Sequence, residues 1–111
     1  MLGVCYDRAL LLARLDVLQA LDLVGVPAST LKNALAAIAE TRFDLLVICG
    51  RVPFEDRVRI TEEFRRRQRG KVIWPRMPDE PESALVDAYV EPGRPLEIME
   101  TIRQVLAPAV L

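Results

Sequence analysis

Residues 42–53 read RFDLLVICGRVP, and this stretch decides the fold. The apolar run from Leu45 to Ile48 predicts a strand over residues 43–49 that is buried on both faces. Gly50 and Pro53 then close the strand. Amphipathic helical patterns precede and follow it, and a buried strand between two helices is typical of a parallel sheet covered on both sides.

The chain before this strand alternates strand and helix in the same way. The predicted elements are a strand at residues 1–5, a helix at 8–21 with Asp7 as its N-cap, a strand at 23–26 ended by Pro27, and a helix from Ser29 or Thr30 to about Thr41. Each strand is short and apolar, and each helix carries an apolar stripe. The alternation therefore extends upstream as two further strand–helix units.

The chain after residue 53 continues the alternation with one interruption. The predicted elements are a charged helix at 54–68 with inner residues Phe54, Val58, Thr61 and Phe64 and a stop at Gly70, a strand at 71–74, a strand at 88–90, and a helix at 95–106. Between the last two strands, Pro78 and Pro81 rule out one regular helix over residues 77–82.

The order of elements predicts an α/β fold. Right-handed crossovers give a flavodoxin-like, doubly wound, five-stranded parallel sheet of order 2-1-3-4-5 between two helical layers, with the fourth helix shortened or missing. The 111 residues fit one domain over residues 1–111.

Composition excludes several classes of function. The 15 basic and 16 acidic residues give a net charge of −1, which argues against direct nucleic-acid binding. The absence of histidine excludes imidazole-based catalysis and histidine-ligated zinc. No signal peptide and no apolar run of about 20 residues is seen, so we expect no membrane association. Two cysteines are too few for a disulfide framework, and we expect a cytoplasmic protein with both thiols reduced.

Several segments, in this order and spacing, resemble the receiver domains of response regulators. They are Ala28-Ser29, Ala34-Leu35, residues 42–47, Val52-Pro53 and residues 89–92. The family's corresponding third-strand segment has an aspartate where this chain has Cys49. The resemblance to these chemotaxis-regulator-like domains covers nearly the whole chain, and it implies the flavodoxin-like fold and a place in two-component signal transduction.

The same resemblance implies that the phosphorylation pocket is degenerate. The family uses an acid pair after the first strand, a phospho-accepting aspartate after the third, a Ser or Thr after the fourth and a Lys after the fifth. The matching positions here are Cys5 and Tyr6 with Asp7 beside them, Cys49, Arg76 with its neighbour Pro75, and Glu91. Cysteine and tyrosine do not replace carboxylates as magnesium ligands, so we expect no Mg²⁺, no other metal and no cofactor.

The functional prediction is a phosphorylation-independent interaction module. We expect no enzymatic activity and no catalytic residue, and we expect a signalling or output protein as partner, with a homodimer as a further possibility. Exposed leucines suggest two surfaces, one at Leu12 and Leu15 and one at Leu96 with the tail at 108–111. The shortened fourth helix removes part of the face through which receivers signal.

Alternative interpretations stay open at this level. One is a receiver phosphorylated at a non-standard site, although Asp44 lies at the wrong end of its strand. Another is a small-anion or redox-sensing domain, in which Cys5 and Cys49 form a redox pair or a soft-metal site rather than merely filling space. A pocket lined by Arg8 and Arg76 would suit a small anion. The arginines of residues 65–71 share their helix with acidic residues, which favours a solvated face.

Overall fold

The computed structural model describes residues 1–19, 25–91 and 95–106 and has the α/β architecture that the sequence predicts. The strands are β1 (Leu2–Val4), β2 (Val26–Ala28), β3 (Leu45–Ile48), β4 (Lys71–Pro75) and β5 (Ala88–Val90), and the helices are α1 (Arg8–Gln19), α2 (Leu31–Glu40), α3 (Phe54–Arg67) and α4 (Pro95–Leu106). All strand pairs are parallel, in the order β2-β1-β3-β4-β5. This is the flavodoxin-like order predicted above. None of the helices described is long and apolar enough to cross a membrane.

Strand β3 lies at the centre of the sheet and is covered on both faces. Leu46 and Ile48 belong to a core that also holds Phe64 of α3, whereas Leu45 and Val47 belong to a second core beneath α4. Side chains of a strand alternate between faces, so an uninterrupted apolar run needs a cover on each. The three-layer arrangement that the continuous apolar run at residues 45–48 predicts is therefore confirmed.

Strand β2 differs from its prediction. The sequence predicted a strand over residues 23–26 that ends at Pro27, but β2 spans Val26–Ala28 and contains Pro27; residues 23 and 24 lie outside the described part. A central strand is hydrogen-bonded to a neighbour on each side and uses all of its backbone N–H groups, whereas proline has no N–H to donate. Because β2 is an edge strand, Pro27 is tolerated there, in register with Gly3.

Helix α2 begins where its capping pattern predicts. The Thr30 side chain accepts a hydrogen bond from the Asn33 backbone N–H at 3.1 Å, so Thr30 rather than Ser29 is the N-cap. That bond satisfies one of the free N–H groups of the first turn. The apolar stripe of α2 faces the core: Ala34 and Ile38 are buried, and Leu31 and Leu35 are partly buried.

Helix α3 packs three of its four predicted inner residues against the core, together with two residues that were not predicted. Thr61 and Phe64 are buried and Val58 is partly buried, and Arg57 and Ile60 are buried as well. Phe54, which the sequence placed inward, is 39% exposed. Hydrophobic periodicity assigns arginine to the solvent side, so it could not identify Arg57 as a core residue.

The β4–β5 connection, residues 76–87, contains no helix, which confirms the prediction for this segment. Two arginines of α3 hold it in place. Arg57 Nη2 donates to Glu80 at 2.6 Å, and Arg65 Nη2 donates to the Leu85 carbonyl at 2.8 Å and to Asp87 at 2.6 Å. Polar anchoring from α3 thus fixes the segment that stands where receivers carry a helix.

Candidate functional site

The carboxyl ends of β1 and β3 lie side by side and bring the two cysteines together. Cys5 and Cys49 each follow one residue after the paired Val4 and Ile48, and their Cα atoms are 5.2 Å apart. This separation is usual for a disulfide, and the two sulfurs are bonded. The expectations of reduced thiols and of residues that merely fill space are therefore wrong: the parallel register places the two side chains against each other.

The disulfide is enclosed by the surrounding backbone. Cys5 and Cys49 are 1% and 2% exposed. Their backbone N–H groups continue the sheet, because Cys5 N–H donates to the Ala28 carbonyl and Cys49 N–H donates to the Val4 carbonyl. The N–H of Arg51 donates to Cys49 Sγ at 3.3 Å. The two sulfurs are thus inequivalent, since Cys49 has an N–H donor directed at it.

Tyr6 makes a second link between the same two segments. Its hydroxyl donates to Asp56 Oδ2, in the first turn of α3, at 2.8 Å. Burial, this hydrogen bond and the negative charge of Asp56 together raise the pKa of Tyr6 to about 12. Tyr6 therefore stays neutral at physiological pH, and its hydroxyl binds the Asp56 carboxylate.

Asp7 acts as a helix cap. Its Oδ1 accepts a hydrogen bond from the Leu10 backbone N–H at 3.2 Å, and its carbonyl accepts from Leu11 N–H. A carboxylate in this position satisfies free N–H groups and complements the helix dipole. The predicted capping role is confirmed, and the oxygen that caps α1 is committed to the helix.

Arg76 and Glu91 meet at the ends of β4 and β5. Arg76 Nε lies 3.7 Å from Glu91 Oε1, its Nη1 lies 3.2 Å from Glu82 Oε1, and its guanidinium stacks over the Tyr89 ring at 5.1 Å from the centroid. Arg76, which the sequence suggested as part of a small-anion pocket, thus already forms ion pairs with the carboxylates of Glu82 and Glu91. Both Arg76 and Glu91 are about half exposed, which makes these pairs weak.

Asp44 lies at the opposite end of the sheet. Its carbonyl accepts from the Lys71 backbone N–H at the start of β4, at 2.9 Å. It is exposed and precedes β3. The structure thus places this carboxylate far from the cysteine pair, as expected from its sequence position.

The acidic side chains at the carboxyl edge are dispersed. Within the ranges that the structure describes, His, Cys, Asp and Glu form no group of three or more that could hold a metal ion. Asp7 caps α1, Asp56 binds Tyr6 and Glu91 pairs with Arg76. The arrangement offers no set of converging carboxylate oxygens.

The basic cluster predicted to be a solvated face is largely paired. Arg66 and Arg67 both contact Glu63 on the same helix, and these hydrogen bonds lower the pKa of the Glu63 carboxyl. Arg65 is engaged by Asp87. These pairs lie within α3 and its immediate neighbours, as on an ordinary charged surface.

The sequence missed Asp56 and Arg57. The position of Asp56 could have been inferred from the sequence, because it lies in the first turn of α3, the helix that comes after the strand ending near Cys49. The burial of Arg57 could not, since it depends on aromatic rings: the guanidinium lies 5.5 Å from the Phe54 centroid and 5.0 Å from that of Trp74. Such a stack is visible only after the fold has formed.

Comparison with known proteins gives many structural matches and no sequence match. The chain matches no protein-family model and no curated protein. A response regulator receiver domain protein from Methanospirillum hungatei is 22% identical and superposes with a TM-score of 0.76 over 93% of this chain and 89% of that one. The response regulator TrrA of Thermotoga maritima, in complex with Mg²⁺ and BeF, is 18% identical, with a TM-score of 0.78 over 95% and 96% of the two chains.

A third solved structure is the receiver domain of a sensor histidine kinase from Pseudomonas aeruginosa, which has a magnesium ion coordinated in its active-site cleft. It is 16% identical, with a TM-score of 0.76 over 96% of this chain and 97% of that one. Each of these three structures superposes over most of both chains with a TM-score above 0.7. The chain therefore has the fold of the response-regulator receiver domains.

Proposed function

We propose that this chain is a receiver-like domain of a two-component or phosphorelay-type system that acts by binding protein partners without being phosphorylated. The fold supports the signalling context, because several of its structural neighbours are receivers, one of them from a sensor histidine kinase. In this proposal the domain is not an enzyme and needs neither a metal nor a cofactor.

One observation carries the proposal: the carboxyl edge of the sheet is filled by contacts that a phosphoryl group would have to break. Cys5 and Cys49 are joined and buried, and Tyr6 is bound to Asp56. A phosphoryl group with Mg²⁺ needs several carboxylate oxygens, a nucleophilic carboxylate and nearby cations. Glu91 instead brings negative charge to the position of the family's lysine.

The partner surface of this proposal lies on the α1–α4 side of the sheet. Leu96 on α4 is 78% exposed and Leu12 on α1 is 50% exposed, and the two helices contact each other. The side chain of Leu15 and the tail at 108–111, which were predicted as parts of these surfaces, lie outside the described part of the chain. Large apolar side chains exposed on neighbouring helices favour a protein contact. This side would serve either a second copy of the chain or another signalling protein.

The proposal is tested by treating the protein with acetyl phosphate and Mg²⁺ and measuring its intact mass. We expect no added phosphoryl group, and no binding of beryllofluoride in the presence of Mg²⁺. A receiver with its acids in place is the positive control. A stoichiometric mass gain would favour the alternative of phosphorylation at a non-standard site, and repeating the reaction on Asp44→Asn and Asp7→Asn would locate it.

The partner surface is tested with Leu96→Lys against Gln104→Lys, an exposed position on the same helix that receives the same charge. Analytical ultracentrifugation over a concentration series measures self-association. If α4 forms a homodimer, Leu96→Lys weakens association by about tenfold or more, as for loss of a central apolar contact, while Gln104→Lys leaves it unchanged. A monomer at every concentration would eliminate the homodimer, and equal effects of both variants would eliminate this surface.

A further inference from the structure

We propose that Cys5–Cys49 is a reversible disulfide that a dithiol reductant opens, and that its redox state sets the conformation of the carboxyl edge of the sheet. The cysteines occupy the positions of a receiver's acid pair and phospho-acceptor. A covalent bond between them would therefore act where phosphorylation acts in that fold. That the edge then controls partner binding rests on the function proposed above, whereas the redox chemistry itself does not.

The geometry supports a bond that forms without rearrangement. Parallel pairing of Val4 with Ile48 carries the next residue of each strand to the same level of the sheet, where the Cα atoms are 5.2 Å apart. These are the only two cysteines in the sequence. Disulfide formation within one molecule therefore has a single possible product, and the number of free thiols in a monomer reports on this pair alone.

The surroundings determine which sulfur leaves during reduction. A thiolate of the reductant attacks Cys5 Sγ, the Cys5–Cys49 bond breaks, and its electron pair leaves on Cys49 Sγ. The N–H of Arg51, 3.3 Å from that sulfur, stabilises the departing thiolate. The second thiol of the reductant then displaces Cys5, so that two electrons and two protons reduce the pair and the reductant becomes a disulfide.

The bond adds a covalent link between two segments that are otherwise joined by sheet pairing, apolar packing and the hydrogen bond between Tyr6 and Asp56. The segment after β1 contains Tyr6, and the segment after β3 leads through residues 49–53 into α3, where Asp56 accepts the Tyr6 hydroxyl. With the disulfide open, that hydrogen bond, the sheet pairing and the shared apolar core hold the two segments together. Local opening is then easier, because one covalent constraint has been removed.

Because both sulfurs are buried, the rate of reduction depends on how a reductant reaches them. A reductant reaches Cys5 only when the edge opens locally, so the rate of reduction under native conditions measures that opening. Loss of the Tyr6 hydroxyl should make opening more frequent. We therefore expect Tyr6→Phe to be reduced several times faster than wild type, whereas Tyr89→Phe, which alters a tyrosine away from the pair, is reduced at the wild-type rate.

The test is to incubate the full chain, without denaturant, in buffers that range from oxidised glutathione to excess dithiothreitol. Free thiols are then alkylated and counted by mass. We expect two free thiols in the reducing buffer, none in the oxidising one, and full return between them. Hydrogen exchange followed by mass spectrometry should show residues 5–8 and 49–53 exchanging about tenfold faster or more in the reduced form. A Cys5→Ala/Cys49→Ala variant should show no response to either buffer.

Three results would overturn the inference: a bond that dithiothreitol opens only in denaturant, thiols that never pair in oxidised glutathione, or identical hydrogen exchange in both states. None of these depends on acetyl phosphate or on a partner. A failed redox test would therefore leave the proposed function standing, and a phosphorylated protein would refute that function without affecting the thiol measurements.

Discussion

Arg57 illustrates how a single residue departs from its ordinary environment. It is 2% exposed on α3, its Nε donates to the Val52 carbonyl at 3.0 Å, and its guanidinium lies against the rings of Phe54 and Trp74. A buried cation is costly unless its charge and its donors are matched, and Nη1 of Arg57 has no hydrogen-bond partner among the described residues. Here Glu80, at 2.6 Å, supplies the charge.

Arg57→Ala is expected to lower the free energy of unfolding by about 3 kcal/mol, because it removes the stack and leaves Glu80 and the Val52 carbonyl without their donor. Arg59→Ala is the control, since Arg59 is exposed on the same helix. Urea denaturation followed by Trp74 fluorescence measures both. Equal stability of the two variants would show that the buried contacts contribute nothing.

Tyr6 gives a prediction for pH. Its pKa is raised from 10.0 to about 12, so the hydrogen bond to Asp56 contributes stability that is fully present below pH 10 and lost as the pH rises through about 12. Spectrophotometric titration should show a tyrosine component with a midpoint near pH 12 that Tyr6→Phe removes. Asp56→Asn should lower the midpoint, because the negative charge is gone. An unchanged midpoint in Asp56→Asn would assign the shift to burial alone.

At the scale of elements, hydrogen bonds of the Gln68 side chain connect the segments that precede β3 and β4. Gln68 accepts from Phe43 N–H at 2.6 Å and donates to the carbonyls of Ile38 and Thr41, so the end of α3 is tied to the end of α2. Gly70 packs directly beneath this contact. A Cβ atom there would lie 2.5 Å from the Phe43 carbonyl oxygen.

Gly70→Ala is expected to lower the free energy of unfolding by about 2 kcal/mol, because the added methyl group meets backbone that cannot move aside easily. Gly50→Ala is the matched control: its Cβ would meet the flexible Met77 side chain at 3.2 Å. Thermal unfolding followed by circular dichroism compares them. Comparable losses at the two positions would contradict the close-approach explanation.

At the scale of the whole molecule, the disulfide closes a loop between residues that are 44 positions apart. Cross-linking restricts the unfolded chain, and a loop of this length corresponds to about 4 kcal/mol in the chain-entropy description. Cys5 and Cys49 belong to the core that also holds Phe64, whereas the core beneath α4 does not contain them, and reduction leaves both side chains in place. The fold should therefore survive reduction with lower stability.

Denaturation of the oxidised protein and of the dithiothreitol-reduced protein should differ by up to about 4 kcal/mol, with the oxidised form more stable. The Cys5→Ala/Cys49→Ala variant separates the bond from the reagent, because its stability should not respond to dithiothreitol. Unfolding of the reduced protein at neutral pH without denaturant would show that the cores alone are insufficient.

Much of the fold was predictable because its signals are local. The apolar run at residues 45–48, the capping pattern at Thr30 and the prolines at 78 and 81 each act within a few neighbours. The sheet order then follows from general rules for parallel strands. The prediction was weakest at β2 and on α3, where an edge position made Pro27 acceptable and aromatic stacking made Arg57 a core residue.

The sequence by itself determined the three-layer architecture and the absence of a regular helix between β4 and β5, and it predicted which residues match the positions of a receiver's pocket. Only the tertiary structure decided what those residues do there. Cys5 and Cys49, or Tyr6 and Asp56, are far apart along the chain, and their contacts depend on strand register and on side-chain packing. Periodicity reports which face a residue takes, whereas a bond across 44 positions exists only once two strands are paired.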